Sequence, residues 1–195
     1  MFDIITVVHN EINYGLAYNR LLPSLEKYSN HDYNFWVRDN RLDNIGFAKA
    51  CNEMAWLGNQ PIIGFVNPDA FVDNFFMDIV INTLKDDVVI TGCNYGKNPV
   101  EVRGWGLNDW VCGASMFVTR DWFTELGGFD ERFIWSHEET DFIRQTEVAG
   151  KVCKSYSEAE FRIVHSSPSD DSSEDSSRKQ MWFADASRKY QQKWM

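Results

Sequence analysis

Phe2-Asp3-Ile4-Ile5-Thr6-Val7-Val8, followed at once by His9-Asn10-Glu11, is the stretch on which the fold turns. A run rich in β-branched residues, apolar at nearly every position instead of every second one, reads as a strand covered on both faces. That is the habit of a central strand in a parallel sheet. Two later runs behave alike: Tyr33 to Val37 ends in Arg38-Asp39-Asn40, and Pro61 to Val66 ends in Asn67-Pro68-Asp69. Helical spacing lies between them, over Leu16 to Tyr28, interrupted by Pro23, and over Phe47 to Leu57, where Phe47, Ala50, Cys51 and Met54 share a face. A further helix is expected over Phe71 to Leu84 and a fourth strand over Asp87 to Thr91. The alternation defines an α/β unit, and such sheets bind ligands beyond the carboxyl ends of their strands. His9, Asn10 and Glu11, then Asp39 and Asn40, then Asn67 and Asp69 all fall at those ends.

The second half has an α+β texture. Val100 to Trp105 and Trp110 to Val118 read as strands, Arg120 to Leu126 as a short helix closed by Gly127-Gly128, and Glu138 to Val148 as a longer helix stopped at Gly150. Ser166 to Ser177 is almost wholly Ser, Asp, Glu and Pro, too polar to offset the entropy of ordering, and is expected to be a flexible acidic loop. Helical spacing returns through Met181, Trp182, Ala184, Ala186 and Tyr190, giving a C-terminal helix over 178–195 that packs on the parent domain or on a partner. The expected organisation is one domain over 1–165, the loop over 166–177 and that helix.

Composition bounds the function. The chain has 195 residues, 44% hydrophobic and 25% charged, against a prior of roughly 150 residues per domain. A net charge of −10 argues against a surface that tracks phosphate backbones. No run approaches the roughly 18 apolar residues of a membrane span, and Met1 to Asn10 has no basic leader pattern, so a cytoplasmic location is expected. Cys51, Cys93, Cys112 and Cys153 form no C-x-x-C pair and are expected to be buried free thiols.

Three familiar patterns fail on inspection. Gly92-Cys93-Asn94-Tyr95-Gly96-Lys97-Asn98 is one residue short of a P-loop and lacks its terminal Ser or Thr. His137-Glu138-Glu139-Thr140-Asp141 has Asp141 where a zinc protease needs a second histidine. Gly104-Trp105-Gly106 lacks the third glycine of a dinucleotide fingerprint.

What remains is an ordered series: Asp39-Asn40; Asn44-x-Gly46-Phe47-Ala48 with Asn52; Asn67-Pro68-Asp69; Gly113-Ala114-Ser115-Met116; Gly127-Gly128-Phe129-Asp130-Glu131-x-Phe133; Glu138-Glu139-x-Asp141; and His165. From Ile4 to about His165 this series resembles the family 2 glycosyltransferases of GT-A fold, particularly the rhamnosyltransferase-like branch. The resemblance implies a Rossmann-like nucleotide-binding half with a mixed central sheet, joined to an α+β acceptor half. It implies inverting transfer of a sugar from a pyrimidine nucleoside diphosphate donor, UDP- or dTDP-linked, to a hydroxyl, with manganese or magnesium as cofactor.

Residue by residue, the resemblance gives Asp39 the imide N–H of the base, an assignment that suits an acceptor-only carboxylate. Val8, His9, Glu11, Asn40, Gly46, Asn52 and Asn67 line the nucleotide-sugar pocket with it, although Asn10 and Glu11 serve equally well as a helix cap and a first-turn acid. Asp69, on a turn rigidified by Pro68, and His165 are the metal ligands it implies, hard oxygen and imidazole donors that suit these ions, with a plain turn residue and a satisfied core or surface histidine as the alternatives. The family turn often carries two acidic residues, and here Asn67 takes the first place. Inverting transfer needs a carboxylate near the acceptor hydroxyl, and the family base maps to Glu139, with Glu138 and Asp141 as alternates and a plain acidic helix N-terminus as the bland reading. Trp110, Gly113, Ala114 and Trp135 form the acceptor side. Trp105, Trp110 and Trp135 are candidate sugar platforms, with a place in the core as the alternative for each. The acceptor class stays open among a glycan, a lipid-linked saccharide, a protein and a modified nucleobase. Two other functions stay open as well: a non-catalytic binder of nucleotide sugars or glycans on the same fold, and a nucleotidyltransferase, which lacks a Gly-rich basic loop near the chain start.

Overall fold

The computed structural model describes residues 1–95, 107–165 and 173–195, with 173–176 by backbone alone. Strand β1 (Phe2–Val8) is flanked on both sides by parallel partners, β2 (Tyr33–Asp39) and β3 (Ile62–Val66). Beyond β3 the sheet turns mixed: β6 (Ser115–Thr119) runs antiparallel to β3 and to β5 (Val88–Cys93), and β5 is parallel to β7 (Val152–Tyr156). The order is β2-β1-β3-β6-β5-β7. All seven residues of β1 are buried, because alternate side chains feed two cores. Ile5 and Val7 join Phe65, Phe123, Phe129 and Phe142 on one face, while Phe2 and Ile4 join Leu21, Phe76, Phe117 and Phe161 on the other.

The register decides where the site lies. Val8 stands opposite Asp39, and Val66 opposite Ser115. The ends of β1, β2 and β3 and the start of β6 therefore share one edge, and the loops that leave or enter there are those with the polar strings.

Helix α1 (Glu11–Leu16) starts earlier than the sequence suggests, because the Asn10 side chain caps it by accepting from the Asn13 N–H at 2.7 Å. It runs through a π turn over Ala17–Leu21 into α2 (Leu22–Tyr28) without a break at Pro23. Proline lacks the N–H for a normal i→i−4 bond, and the Leu22 N–H reaching Ala17 O widens the turn just before it. Helix α3 (Phe47–Leu57) falls where its periodicity places it.

Three expectations are corrected. The helix expected over 71–84 is a strand, β4 (Ala70–Val72), then Phe75 in the left-handed region (φ 68), then α4 (Phe76–Thr83). Ala70-Phe71-Val72 pairs antiparallel with β8 (Ile163–His165), a partner that local periodicity does not reveal. The strand expected from Trp110 begins only at Ser115, since residues 110–114 cross the sheet edge: the Cys112 N–H bonds to Cys93 O, and the Asn67 N–H to Ala114 O. The C-terminal helix starts inside the expected acidic loop, running over Ser173–Trp194. The expected strand over 100–105, the end of the P-loop-like string and Trp105 lie outside the described residues, as does the loop over 166–172.

Between these come α5 (Arg120–Leu126), α6 (Glu138–Val148) and the one-turn α7 (Glu158–Phe161); the C-terminal helix is α8. Gly127 (φ 80) and Gly128 (φ 83) close α5 as the sequence indicates. Cys51, Cys93 and Cys153 are buried free thiols, and Cys112 is half-buried. No helix among the described residues is long and apolar enough to cross a membrane.

Candidate functional site

Asn67-Pro68-Asp69-Ala70 closes a tight turn, with the Ala70 N–H on Asn67 O at 3.0 Å and Pro68 at the position where its fixed φ favours a turn. The β4–β8 pairing then sets Ala70 opposite His165. Two residues almost a hundred positions apart thereby meet, with His165 Nε2 3.0 Å from Asp69 Oδ1. Asp69 is 8% exposed. The His165 ring lies 5.3 Å from that of Tyr95, whose hydroxyl meets Ser115 Oγ at 2.8 Å, and the His165 N–H is bonded to Glu158. Two neighbouring ligands of an octahedral ion with bonds of about 2.1 Å stand about 3 Å apart, so this oxygen and nitrogen fit a divalent cation. No group of three or more His, Cys, Asp or Glu among the described residues is arranged to hold a metal. Any ion here would take its remaining ligands from a bound donor or water.

The same turn leads to the acidic helix. Asn67 is tied to Ala114, and a Cβ built on the adjacent Gly113 would lie 3.6 Å from Glu139 Cβ and 4.0 Å from Glu138 Oε1. Asp69, Gly113, Ala114 and the first turn of α6 thus form one continuous strip. Glu138 and Glu139 are 6% and 5% exposed. The two residues before α6 store strain, since Ser136 (φ 68) and His137 (φ 75) are both left-handed without being glycine, at a cost of about 1–3 kcal/mol each.

Helix α8 holds that strained entry in place. His137 is fully buried, its ring nitrogens meeting Ser136 Oγ at 2.9 Å and Ser187 Oγ at 3.1 Å, with the rings of Phe183 and Tyr190 against it. Phe133, Ala186, Tyr190 and Trp194 form a small separate core. Asp141 accepts from Gln145 (2.9 Å), Lys193 (2.9 Å) and Trp194 Nε1 (2.7 Å) and is fully buried. These bonds make it an anchor for α8. Asp130 is similarly engaged by Arg132 and Lys193, whose hydrogen bonds hold its carboxyl far below the usual range. Trp194→Phe should therefore cost about 1.5–3 kcal/mol, as for a lost hydrogen bond to a buried charge, read by urea unfolding; a loss below half a kcal/mol would show that α8 does not depend on this anchor.

At the far end of the edge, Asp39 is paired with Arg41. Arg41 Nε and Nη2 grip both its oxygens at 2.7–3.1 Å, and Arg41 Nη1 holds Glu11 at 2.7 Å. These bonds draw the Asp39 carboxyl below its ordinary pKa. The guanidinium lies 4.0 Å from the centre of the Tyr14 ring. Asn40 ties the β1 end to the loop before α3: its N–H bonds Val8 O at 2.7 Å and its side chain approaches Gly46 O at 3.4 Å. Gly46 takes a positive φ (88) that strains other residues, and a Cβ there would press on Ile134 O at 3.1 Å. His9 is exposed just past the end of β1.

Two assignments change. Asn52 does not face the pocket: its amide accepts from the Phe129 N–H and donates to Phe129 O and Glu131, clamping the turn after Gly128. Trp110 is 3% exposed within the larger core and offers no face to a sugar. Trp135 is half-buried and keeps its candidacy. Arg41 and helix α8 join the site only in the structure; in the sequence Arg41 is a basic residue two positions after Asp39.

No protein-family model matches this chain, and no curated protein sequence is similar to it. The mixed sheet with its strip of carboxylates at one edge is nonetheless the GT-A glycosyltransferase fold. Solved structures that share it include a mannosyltransferase from Pyrobaculum calidifontis in complex with GDP-mannose and Mn2+, with TM-score 0.69 and 15% identity over 87% of this chain and 58% of that one. A mutant Drosophila β1,4-galactosyltransferase 7 with manganese, UDP-Gal and xylobiose gives 0.62 and 13% over 86% and 72%. S. aureus TarS with UDP gives 0.58 and 13% over 82% and 62%. The chain thus spans less than two thirds of the length of the mannosyltransferase and of TarS.

Proposed function

We propose that this chain is an inverting glycosyltransferase that moves a sugar from a UDP- or dTDP-linked donor to an acceptor hydroxyl with the help of a divalent metal. The meeting of Asp69 with His165, on a strip that continues through Ala114 and Gly113 to Glu139, is the observation that carries this reading. Asp69 and His165 would hold manganese or magnesium, which when bound would offset the charge growing on the departing diphosphate. Glu139 takes the proton from the acceptor hydroxyl as that oxygen attacks the anomeric carbon from the face opposite the leaving group. Val8, His9, Asp39, Asn40 and Gly46 hold the nucleoside, and Gly113, Ala114 and Trp135 border the acceptor. The bound metal in the mannosyltransferase and galactosyltransferase structures, and the nucleotides in all three, support this reading.

The test is thermal-shift binding of UDP and dTDP with and without manganese. Wild type should be stabilised only with metal, by about 2.7 kcal/mol when the ligand stands at a hundredfold its Kd, and Asp69→Ala and His165→Ala should each lose most of that gain. Stabilisation by nucleotide without any metal dependence would sink the metal assignment. No response to any nucleotide would leave the fold serving another purpose.

A further inference from the structure

Arg41 is the polar group that the pocket itself places on the base-reading carboxylate. It is less exposed than either acid it holds, at 25% of its side chain against 41% for Asp39 and 83% for Glu11, and it rests on the Tyr14 ring. Its bonds leave a usable remainder. Nη2 has two hydrogens and makes one bond, to Asp39 Oδ2 at 2.7 Å. Among the described residues Oδ2 receives that bond and the longer half of a shared contact from Nε, while a carboxylate has about four lone-pair sites. A donor hydrogen on Arg41 and acceptor capacity on Asp39 are thus left over on adjoining groups.

A bare carboxylate suits a pyrimidine imperfectly. The imide N–H of uracil or thymine is flanked by two carbonyl oxygens, and an unneutralised carboxylate repels both while it accepts the proton between them. A guanidinium beside it cancels that repulsion and donates to one carbonyl. Cytosine presents the reverse order at the same positions, an amino donor in place of the carbonyl and a ring lone pair in place of the imide, and would set donor against donor and acceptor against acceptor.

We propose that Arg41 is a specificity-determining residue of the nucleotide pocket, forming with Asp39 a donor–acceptor pair that takes the adjoining carbonyl and imide N–H of uracil or thymine and rejects cytosine. This rests on the reading of Asp39 as the carboxylate that meets the base. Arg41 adds what Asp39 alone lacks, discrimination between two bases of the same size.

The experiment is isothermal titration of UDP, dTDP and CDP, with manganese present, into wild type, Arg41→Ala and Arg41→Lys, with apo melting curves to show that each variant is folded. Wild type should bind UDP and dTDP at least tenfold more tightly than CDP. Arg41→Ala should weaken UDP about tenfold, as for one lost charge-assisted hydrogen bond, and bring the UDP:CDP ratio close to one. Arg41→Lys keeps the charge without the planar fork and should resemble alanine in that ratio. Equal weakening of UDP and CDP would overturn the proposal and make Arg41 a contact to the diphosphate. Tighter UDP binding by Arg41→Ala would overturn it too and make Arg41 a plug over Asp39, and unchanged affinities would reduce it to a surface ion pair. A wild type that binds no nucleotide removes the glycosyltransferase reading itself, an outcome visible before any variant is made.

Discussion

Asp3→Ala should lower unfolding stability by about 3–5 kcal/mol, enough to drop the melting temperature on the order of 10 °C in a domain of this size. Asp3 is a fully buried carboxylate near the start of the sheet's first strand. Its oxygens accept from Asn34 Nδ2, Trp36 Nε1 and the Gln60 N–H, each at 2.8 Å, and from Arg120 Nη2 at 2.6 Å. Arg120 also donates to Gln60 O and Ala55 O, so the pair binds β1, β2, the end of α3 and the start of α5. Gly58 is part of the same device, since a Cβ there would stand 2.2 Å from Asp3 Oδ2. Removing the acid strands a mostly buried guanidinium, the costly half of breaking a buried pair. The pH dependence follows. Burial alone would raise the Asp3 pKa, but the bonds from Trp36, Asn34 and Gln60 and the charge of Arg120 outweigh it and leave it lowered. A lowered carboxyl contributes stability above its unfolded value near 3.9 and loses it as pH falls through the folded value. Urea unfolding from pH 7 to 2 should show wild type losing part of its margin below about pH 4, and Asp3→Ala showing a shallower acid slope. A stability change under 1 kcal/mol would show that the knot is not needed. Asp3→Leu with Arg120→Met should recover much of the loss, because replacing both partners removes the desolvation cost with the attraction.

Asp3 also marks the boundary of what the sequence discloses. It stands in the strand that announces the fold, yet nothing local shows that a charge there is buried and answered by Arg120, more than a hundred residues away. Local signals worked where one element suffices: β1 is apolar on both faces because it has a core on each, and α3, α5 and α6 follow their own periodicity and glycine stops. They failed where the cause is tertiary. Ala70-Phe71-Val72 reads as the first turn of a helix until β8 arrives from the far end of the chain to pair with it. Strand β7 lies at the sheet edge and alternates only weakly in burial, so its period is faint. Asp69 and His165, candidates through the order of motifs, are brought together by that same unexpected pairing. Asn52 and Trp110 were misplaced because a polar residue near a motif and an aromatic beside one look alike whether they face a ligand or the core. In the tail, helical spacing gives the helix over 178–195 but not its earlier start at Ser173, nor the hold of its far end on Asp141 through Lys193 and Trp194.

That anchoring sharpens the last prediction, which concerns the acidic string at the start of α6. Three carboxylates lie within four residues, and a helix N-terminus attracts acids whether or not they do chemistry. The structure separates their circumstances. Asp141 has its oxygens occupied by Gln145, Lys193 and Trp194, whereas Glu139 has its side chain against Gly113, on the loop joined to the Asp69 turn. A Cβ at 113 would rest in van der Waals contact with the Glu139 stem, at 3.6 Å. Glu139→Gln preserves the shape and removes only the ability to take a proton, so turnover should fall by about 10²–10⁴, the usual contribution of a general base. Manganese-dependent binding of UDP should be unchanged, since the substitution leaves Asp69, His165 and the nucleotide end intact. Glu138→Gln should cost far less activity. Asp141→Asn should act mainly on stability, by loosening α8 from α6. Release of nucleoside diphosphate from a donor sugar, with acceptor or with water, reads the rates, and thermal shift reads the binding in the same samples. A Glu139→Gln protein with full turnover would move the base to Glu138 if that variant is the inactive one. Should wild type bind nucleotide and release none, the fold here is a binder, and the buried pair of glutamates serves only to start a helix that the strained Ser136-His137 entry and α8 already hold.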